Sequence, residues 1–214
     1  MENKKSKLEV TVTRDTNWER AVNAARRTVG KGALGHEPSD SWKAKSIIAE
    51  HSPIKLVEYT ISFKNLKQRV GVHLLRHQYV LPFIHSQRVD RREDINELTD
   101  RYMNTVAEDI KNDPYFNRSD VLPQGQPNDQ DFVVNVQTLI NISRKRLCNC
   151  ASSDTVAAWK AVRDAIMEID PVVAKCMVPN CIYRGRCPEI NSCGYWKTEK
   201  FKKECDEYWS QIER

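Results

Sequence analysis

Residues 65–92 hold the side chains of this sequence that are best suited to binding an anion. Six basic residues and one acidic residue give this window a net charge of +5, and three of the five histidines lie in it. Arginine presents a planar fork of N–H donors that fits a phosphate group, while serine and glutamine add orienting hydrogen bonds. The window therefore predicts a phosphate-bearing ligand; a solvated basic surface is the alternative that charge alone leaves open. The side chains concerned are Arg76, His77, Gln78, Ser86, Gln87 and Arg88.

The sequence offers few candidates for a side-chain nucleophile. There is no Gly-x-Ser-x-Gly elbow and no Walker phosphate loop. Cys150 is one candidate nucleophile, with Arg146 one helical turn away as the group that would lower its pKa. Otherwise, any chemistry is expected to rest on the arginines.

The seven cysteines all lie between Cys148 and Cys205, and the first 147 residues contain none. An odd number of cysteines argues against a disulfide framework and for reduced thiols, a metal site or plain packing. We expect packing cysteines and no metal. The alternative is a structural site in which Cys148 converges on three cysteines spaced six apart, which is not the Cys-x2-Cys spacing of zinc ribbons. Those three are Cys181, Cys187 and Cys193.

Length and composition predict one globular domain over residues 1–214 with a cysteine-rich C-terminal segment, 176–214. The chain has a mass of 24.8 kDa, 40% hydrophobic residues and a mean hydropathy of −0.65. No run approaches the ~18 apolar residues of a membrane span, and the basic start has no following apolar stretch. We therefore expect a cytoplasmic protein with no membrane partner.

The periodicity of apolar residues predicts the α+β class, with helices outnumbering strands. Val57, Tyr59, Ile61 and Phe63 alternate with polar residues and form the best predicted strand, and residues 8–12 form another. Residues 79–89 read as loop or strand, and 176–193 as irregular. Helical spacing is found over residues 18–27, 42–50, 66–77, 94–112, 131–147, 155–169 and 201–212.

Several motifs occur in an order that resembles one known family, the flavin-dependent thymidylate synthases. The first is Arg76-His77-Gln78, seven residues, Ser86, with Arg88 two residues further on. The others are Ala24-Ala25-Arg26, His51-Ser52-Pro53, Ser119 to Pro123, the Asn135-x-Gln137-x-Leu139 helix running to Ala151, and the cysteine-bearing tail from Pro179 to Gly194. The resemblance covers roughly residues 8–195.

This resemblance implies a small, mainly antiparallel sheet wrapped by helices, in a homotetramer with active sites built across subunits. It implies a methyltransferase that moves one carbon from methylenetetrahydrofolate to C5 of dUMP, with reduced FAD as hydride donor and NADPH recharging the flavin. The nucleotide explains the basic window, so nucleic acid is not an expected partner.

The resemblance also implies roles for individual residues. The flavin contacts would be Arg76, His77, Gln78, Asn135 and Asn141. The dUMP contacts would be Ser86, Gln87, Arg88, Arg118 and Arg146. Of these, Ser86 and Arg146 would be catalytic, Arg146 by facing the uracil, where attack at C5 puts negative charge on the carbonyl oxygens.

The sequence departs from the family pattern mostly at positions implied to contact the flavin or the base. Gln78 and Gln137 each replace an arginine, and Ile84 replaces a glutamate, whereas Ser86 and Arg88 are kept. Two alternatives therefore stand beside thymidylate synthesis. One is a folate-dependent dUMP or dCMP hydroxymethylase of the same fold, and the other is a non-catalytic nucleotide-binding paralogue.

Overall fold

A four-stranded antiparallel sheet forms the centre of the computed structural model, which describes residues 7–212. The strands are β1 (Glu9–Arg14), β2 (Glu58–Lys67), β3 (Leu81–Ile84) and β4 (Pro127–Asn135), in the order β1-β2-β4-β3. Every pairing is antiparallel. The predicted α+β class and small antiparallel sheet are therefore confirmed. The ends of the predicted 1–214 domain and of its C-terminal segment, residues 1–6 and 213–214, lie outside the described residues.

Strand β2 has the period-two burial that its sequence predicts. Tyr59, Ile61 and Phe63 are fully buried, whereas the residues between them lie at the sheet's more accessible face. The strand also continues four residues beyond the predicted end, through a register shift between Phe63 and Leu66. It ends at Lys67, where helix α3 begins immediately.

Ten α-helices and three short 3-10 turns surround the sheet within residues 7–212. The turns cover Ser52–Leu56, Arg118–Val121 and Tyr195–Lys197. The helices are α1 (Trp18–Thr28), α2 (Asp40–Ile48), α3 (Gln68–Leu75), α4 (Ile95–Met103), α5 (Glu108–Lys111), α6 (Val136–Arg146), α7 (Ser153–Ile169), α8 (Pro171–Cys176), α9 (Asn180–Arg184) and α10 (Glu199–Trp209). No helix among the described residues is long and apolar enough to cross a bilayer.

The predicted helix over 131–147 is wrong in its first third, which is strand β4. Phe132 and Val134 are buried and alternate with more exposed residues, which is the strand period. The side chain of Asn135 then accepts a hydrogen bond from the backbone N–H of Thr138 at 2.9 Å and caps α6. The strand and helix abut with no intervening loop, so their apolar residues merge into one apparent helical pattern.

Two other predicted segments also differ from the structure. The predicted helix over 94–112 is two helices, α4 and α5, separated by four residues that include Asn104 and Thr105, both weak helix formers. The segment predicted as irregular, 176–193, contains the short helix α9, which ends at Gly185 in the left-handed conformation, φ 69°.

Asp170, between α7 and α8, ties the sheet to the helices. Its carboxylate is buried and accepts hydrogen bonds from the indole N–H of Trp18 at 2.6 Å and the hydroxyl of Tyr59 at 2.8 Å, with the guanidinium of Arg14 at 3.5 Å. Burial and the Asp170 charge raise the pKa of Tyr59, so this phenol stays a donor. One side chain therefore joins β1, β2, α1 and the end of α7.

Helix α3 packs closely on β4 at Gly71. An ideal Cβ at this position would lie 2.1 Å from Oε1 of Gln130, a buried side chain. We expect Gly71→Ala to lower the free energy of unfolding by about 1 kcal/mol, because overpacking costs roughly 1–3 kcal/mol and the helix propensity of alanine offsets roughly 1 kcal/mol of it. Urea denaturation measures the change.

Gly32→Ala is the matched control, since nothing lies within 4 Å of a Cβ there. Shortening the opposing side chain in Gly71→Ala/Gln130→Ser should restore part of the lost stability. A Gly71→Ala variant as stable as the original chain would show that α3 and β4 are not in this close contact.

Candidate functional site

Arg146, the last residue of α6, is fixed against the end of α3. Its Nη2 donates to the backbone carbonyl of His73 at 2.7 Å, and its Nε donates to Nε2 of His77 at 3.1 Å. His77 Nε2 is therefore an acceptor, which places the ring proton on Nδ1. Because a guanidinium has five N–H donors, most of those on Arg146 remain available to a ligand.

His77 is a neutral imidazole at physiological pH. Its burial, together with the charges of Arg146, Arg76 and Lys145, lowers its pKa to about 4. The basic character of this region therefore comes from the arginines and the lysine. The histidine contributes a neutral hydrogen-bonding ring.

NMR titration of His77 tests this geometry directly. We expect a pKa of about 4 in the original chain and a higher value in Arg146→Gln, although burial, the larger cause, would remain. Because the folded pKa lies below the ordinary 6.5, the unfolded chain binds this proton more readily. The contribution of His77 to stability is therefore complete above about pH 6.5 and is lost as the pH falls toward about 4.

The control for this titration is Arg20→Gln, which removes an exposed arginine of α1. It should leave the titration of His77 unchanged. A wild-type pKa near 6.5 would mean that Arg146 and His77 are not in contact.

An open cleft of about 380 Å³ lies beside this pair. The Arg76 side chain has no hydrogen-bond or ion-pair partner within residues 7–212, and Lys145 pairs with Glu189 at 3.3 Å. A cleft with this excess of positive charge suits an anionic ligand. Its lining is Arg76, His77, Lys145, Arg146, Cys148, Cys150, Ala151 and Glu189.

Another face of α6 carries a hydrogen-bond network centred on Glu50. The Glu50 carboxylate accepts from Gln137 at 2.8 Å, Arg144 at 2.8 Å and Tyr183 at 2.6 Å. Burial would raise the pKa of Glu50, but these hydrogen bonds and the Arg144 charge outweigh it and lower the pKa. Gln137 also donates to Oδ1 of Asn141 at 3.2 Å, which leaves the Asn141 amide N–H groups free on an exposed side chain.

The predicted flavin contacts lie at one end of the sheet. Arg76 and His77 directly follow α3, Asn135 is the N-cap of α6, and Asn141 lies in the middle of α6. The backbone carbonyl of Gln78 accepts a hydrogen bond from the Thr138 hydroxyl at 3.4 Å, which holds the two segments together. The Asn135 side chain is already used as the α6 cap.

The predicted phosphate contacts lie beyond the other end of β3. Gln78 precedes the start of this strand and Ser86 follows its end, and the four residues of the strand span about 13 Å. The Ser86 hydroxyl accepts from the backbone N–H of Arg88 at 3.2 Å, and the Arg88 guanidinium makes two hydrogen bonds to Asp90. No hydrogen bond or ion pair in the described part of the chain joins Ser86, Gln87 or Arg88 to the Arg146 cleft.

Arg118 lies in a further part of the chain. Its guanidinium pairs with Asp100 and donates to the Thr99 hydroxyl at 3.2 Å, both on α4. It is therefore engaged by the peripheral segment 95–121. Within one chain the structure brings together Arg76, His77 and Arg146, but not these three with Ser86–Arg88 or Arg118.

Cys150 borders the basic cleft as an unactivated thiol. Burial and the neighbouring thiols Cys148 and Cys193 raise its pKa to about 11, so it is protonated at neutral pH. All seven cysteines are free. In residues 7–212, no group of three or more histidine, cysteine or acidic side chains is placed to hold a single metal ion.

Sequence reasoning missed Glu50 and Lys145. Glu50 lies 87 residues from Gln137, so no local spacing in the sequence predicts their contact. Lys145 is the neighbour of Arg146 in sequence, and its positive charge was the one signal that it lines the cleft.

The spacing Gly30-x-Gly32-x-x-Gly35 also matches the dinucleotide fingerprint. It follows helix α1 rather than a strand, so it lacks the strand–turn–helix setting that this motif requires.

Comparisons with known proteins identify the fold. No protein-family model matches the chain, and no curated protein matches it. Among solved structures, the chain is similar to thymidylate synthase X (ThyX) from Helicobacter pylori, determined with FAD and dUMP, with a TM-score of 0.59 and 15% identity. The match covers 79% of this chain and 99% of that chain. The helices and small antiparallel sheet described above are therefore arranged in the fold of ThyX.

Proposed function

We propose that the chain binds FAD and dUMP and transfers one carbon from methylenetetrahydrofolate to C5 of the nucleotide, giving dTMP. The observation that carries this proposal is the fixed guanidinium of Arg146, held by His73 and His77 in a cleft rich in positive charge. It is supported by the ThyX fold, because the similar structure was determined with FAD and dUMP.

The proposed role of Arg146 is electrostatic. C5 of the pyrimidine is nucleophilic in the enolate form of the ring, whose negative charge lies on a ring carbonyl oxygen, and a pre-positioned guanidinium stabilises that charge without reorganising. Its anchors at 2.7 Å and 3.1 Å hold the side chain before the ligand binds. Neutral His77 completes this arrangement, since a charged imidazolium would repel the guanidinium.

The proposed FAD contacts are Arg76, His77, Gln78, Asn135 and Asn141. The donor set fits an anionic dinucleotide, because within residues 7–212 the Arg76 side chain has no hydrogen-bond or ion-pair partner and no hydrogen bond uses the Asn141 amide N–H groups. When bound, reduced FAD supplies the hydride, and NADPH restores it. The protein binds and orients the reactants.

The proposed site is completed across subunits of a homotetramer. Ser86, Gln87 and Arg88, with Arg118 as a further cation, would hold the dUMP phosphate and sugar from a neighbouring chain, because β3 keeps them apart from Arg146 within one chain. Strand β3 supports such an interface. It is an edge strand, and Leu81 and Phe83 on it, with Tyr79 before it, are between 61% and 73% exposed.

The hydroxymethylase alternative rests on Gln137. This side chain, at a position where the family has an arginine, is turned into the Glu50 network by its bonds to Glu50 and Asn141. Gln137 therefore offers the flavin fewer contacts than an arginine at this position would. Quenching of the transferred carbon by water would need no net hydride and so would tolerate weaker flavin binding.

Four measurements test the proposed function. The purified protein should show flavin absorbance after incubation with FAD, and dUMP should raise its melting temperature. With FAD, NADPH and methylenetetrahydrofolate it should release tritium from 5-tritiated dUMP, and mass spectrometry should identify dTMP. A product heavier by one oxygen would support the hydroxymethylase. Nucleotide binding without tritium release would identify a non-catalytic paralogue and overturn the proposal.

A further inference from the structure

Four cysteines from separate parts of the C-terminal region line one cavity of about 170 Å³. Cys148 follows the end of α6, and Cys181 lies in α9. Cys187 and Cys193 lie in the irregular segment that joins α9 to the turn at Tyr195. This convergence brings together residues up to 45 positions apart in the chain.

None of these four thiols is in a disulfide, and all four line the same cavity. Thiols gathered in one cavity are costly to deprotonate together, unless a cation is present to offset the thiolate charges.

The arrangement does not suit a single zinc ion. Zinc holds each sulfur at about 2.3 Å, so that four tetrahedral ligands lie about 3.8 Å from one another. No three candidate ligands among the described residues are placed to hold one ion. A four-iron cluster separates its ligands more widely, because each thiolate binds a different iron.

The charges around the cavity leave a small positive excess. Its lining holds three basic residues, Lys160, Arg163 and Lys200, and two acidic residues, Glu189 and Glu204, which gives a net charge of +1. A cubane with four thiolate ligands is an anion, and nearby cations lower the free energy of burying it.

We propose that Cys148, Cys181, Cys187 and Cys193 bind a four-iron, four-sulfide cluster in this cavity. Two ferrous ions, two ferric ions and four sulfides give a core of charge +2. Each thiol releases one proton and forms one bond to iron, so ligation transfers no electrons.

Anaerobic reconstitution with equal ferrous and ferric iron and sulfide tests the proposal. We expect about four irons and four acid-labile sulfides per chain, and an electron paramagnetic resonance signal after reduction. Cys187→Ser and Cys193→Ser should each lower the iron content at least two-fold. Cys150→Ser is the matched control, since this exposed thiol does not line the cavity, and it should keep the full content.

Circular dichroism of each variant shows whether the fold is kept. The proposal is overturned by fewer than one iron per chain in the folded wild-type protein, by one tightly held zinc instead, or by unchanged iron content in both ligand variants. These readouts need neither FAD nor dUMP. Failure of the cluster is thus distinguishable from failure of the proposed function.

Discussion

Replacing Arg146 by alanine is expected to lower tritium release from 5-tritiated dUMP by about 100-fold or more. Loss of one pre-positioned donor to a developing oxyanion costs roughly 10²–10³ in rate, and Arg146 also supplies charge to the cleft. Its bonds to His73 and His77 show that the guanidinium is already in place before any ligand arrives. The rate constant at saturating dUMP is the measurement.

Two variants separate this effect from a general loss of charge or of fold. Arg146→Lys keeps the charge but loses the planar fork, so dUMP should still raise the melting temperature while the rate stays low. Arg20→Ala removes an exposed arginine far along the chain and should keep the wild-type rate. An Arg146→Ala rate within three-fold of wild type would remove this residue from the mechanism.

Replacing Asp170 by alanine is expected to cause the largest loss of stability, about 3 kcal/mol. The variant leaves the indole N–H of Trp18 and the hydroxyl of Tyr59 buried without an acceptor, and each unsatisfied group costs roughly 1–3 kcal/mol. For a chain of this size the melting temperature should fall by about 6–12 °C. Differential scanning calorimetry at fixed protein concentration measures it.

Asp164→Ala is the matched control for this prediction. Asp164 is an exposed carboxylate of the neighbouring helix α7, and within residues 7–212 its ion-pair partner is Arg163 at 3.9 Å, so its loss should change stability by no more than about 0.5 kcal/mol. Tyr59→Phe should have an intermediate effect, since it removes one of the donors. Equal melting temperatures for Asp170→Ala and Asp164→Ala would contradict the assigned role.

The sheet was predictable where burial follows a simple period, and the helices where a cap or proline marks an end. The alternation from Val57 to Phe63 predicted β2, and Pro171 marked the end of α7. The prediction of one helix over residues 131–147 was wrong in its first third, because Asn135 is both the last residue of a strand and the cap of the following helix. The break between α4 and α5 was not predicted, because the apolar residues on both sides of Thr105 keep the spacing of a single helical face.

The candidate site was predictable only in part, since its contacts join distant segments. The resemblance to flavin-dependent thymidylate synthases directed attention to Arg76, His77 and Arg146, which do meet. It could not show that Gln137 turns toward Glu50, because a contact across 87 residues leaves no local pattern. Nor could it show that β3 separates Ser86 from the cleft within one chain.

The strand order also has a consequence for how the chain folds. The central strand β2 pairs with β4, which is the last strand in sequence, so Glu58 lies opposite Asn135 and a long connection, residues 68–126, joins the two strands. This connection includes β3, which pairs with the other edge of β4. Closing such a long loop costs conformational entropy before any ladder hydrogen bond forms, and non-local pairing of this kind slows folding. During synthesis on a ribosome, β1 and β2 are made before β4. The pairing of β2 with β4, and then the cleft around Arg146, can therefore form only after β4 has been made.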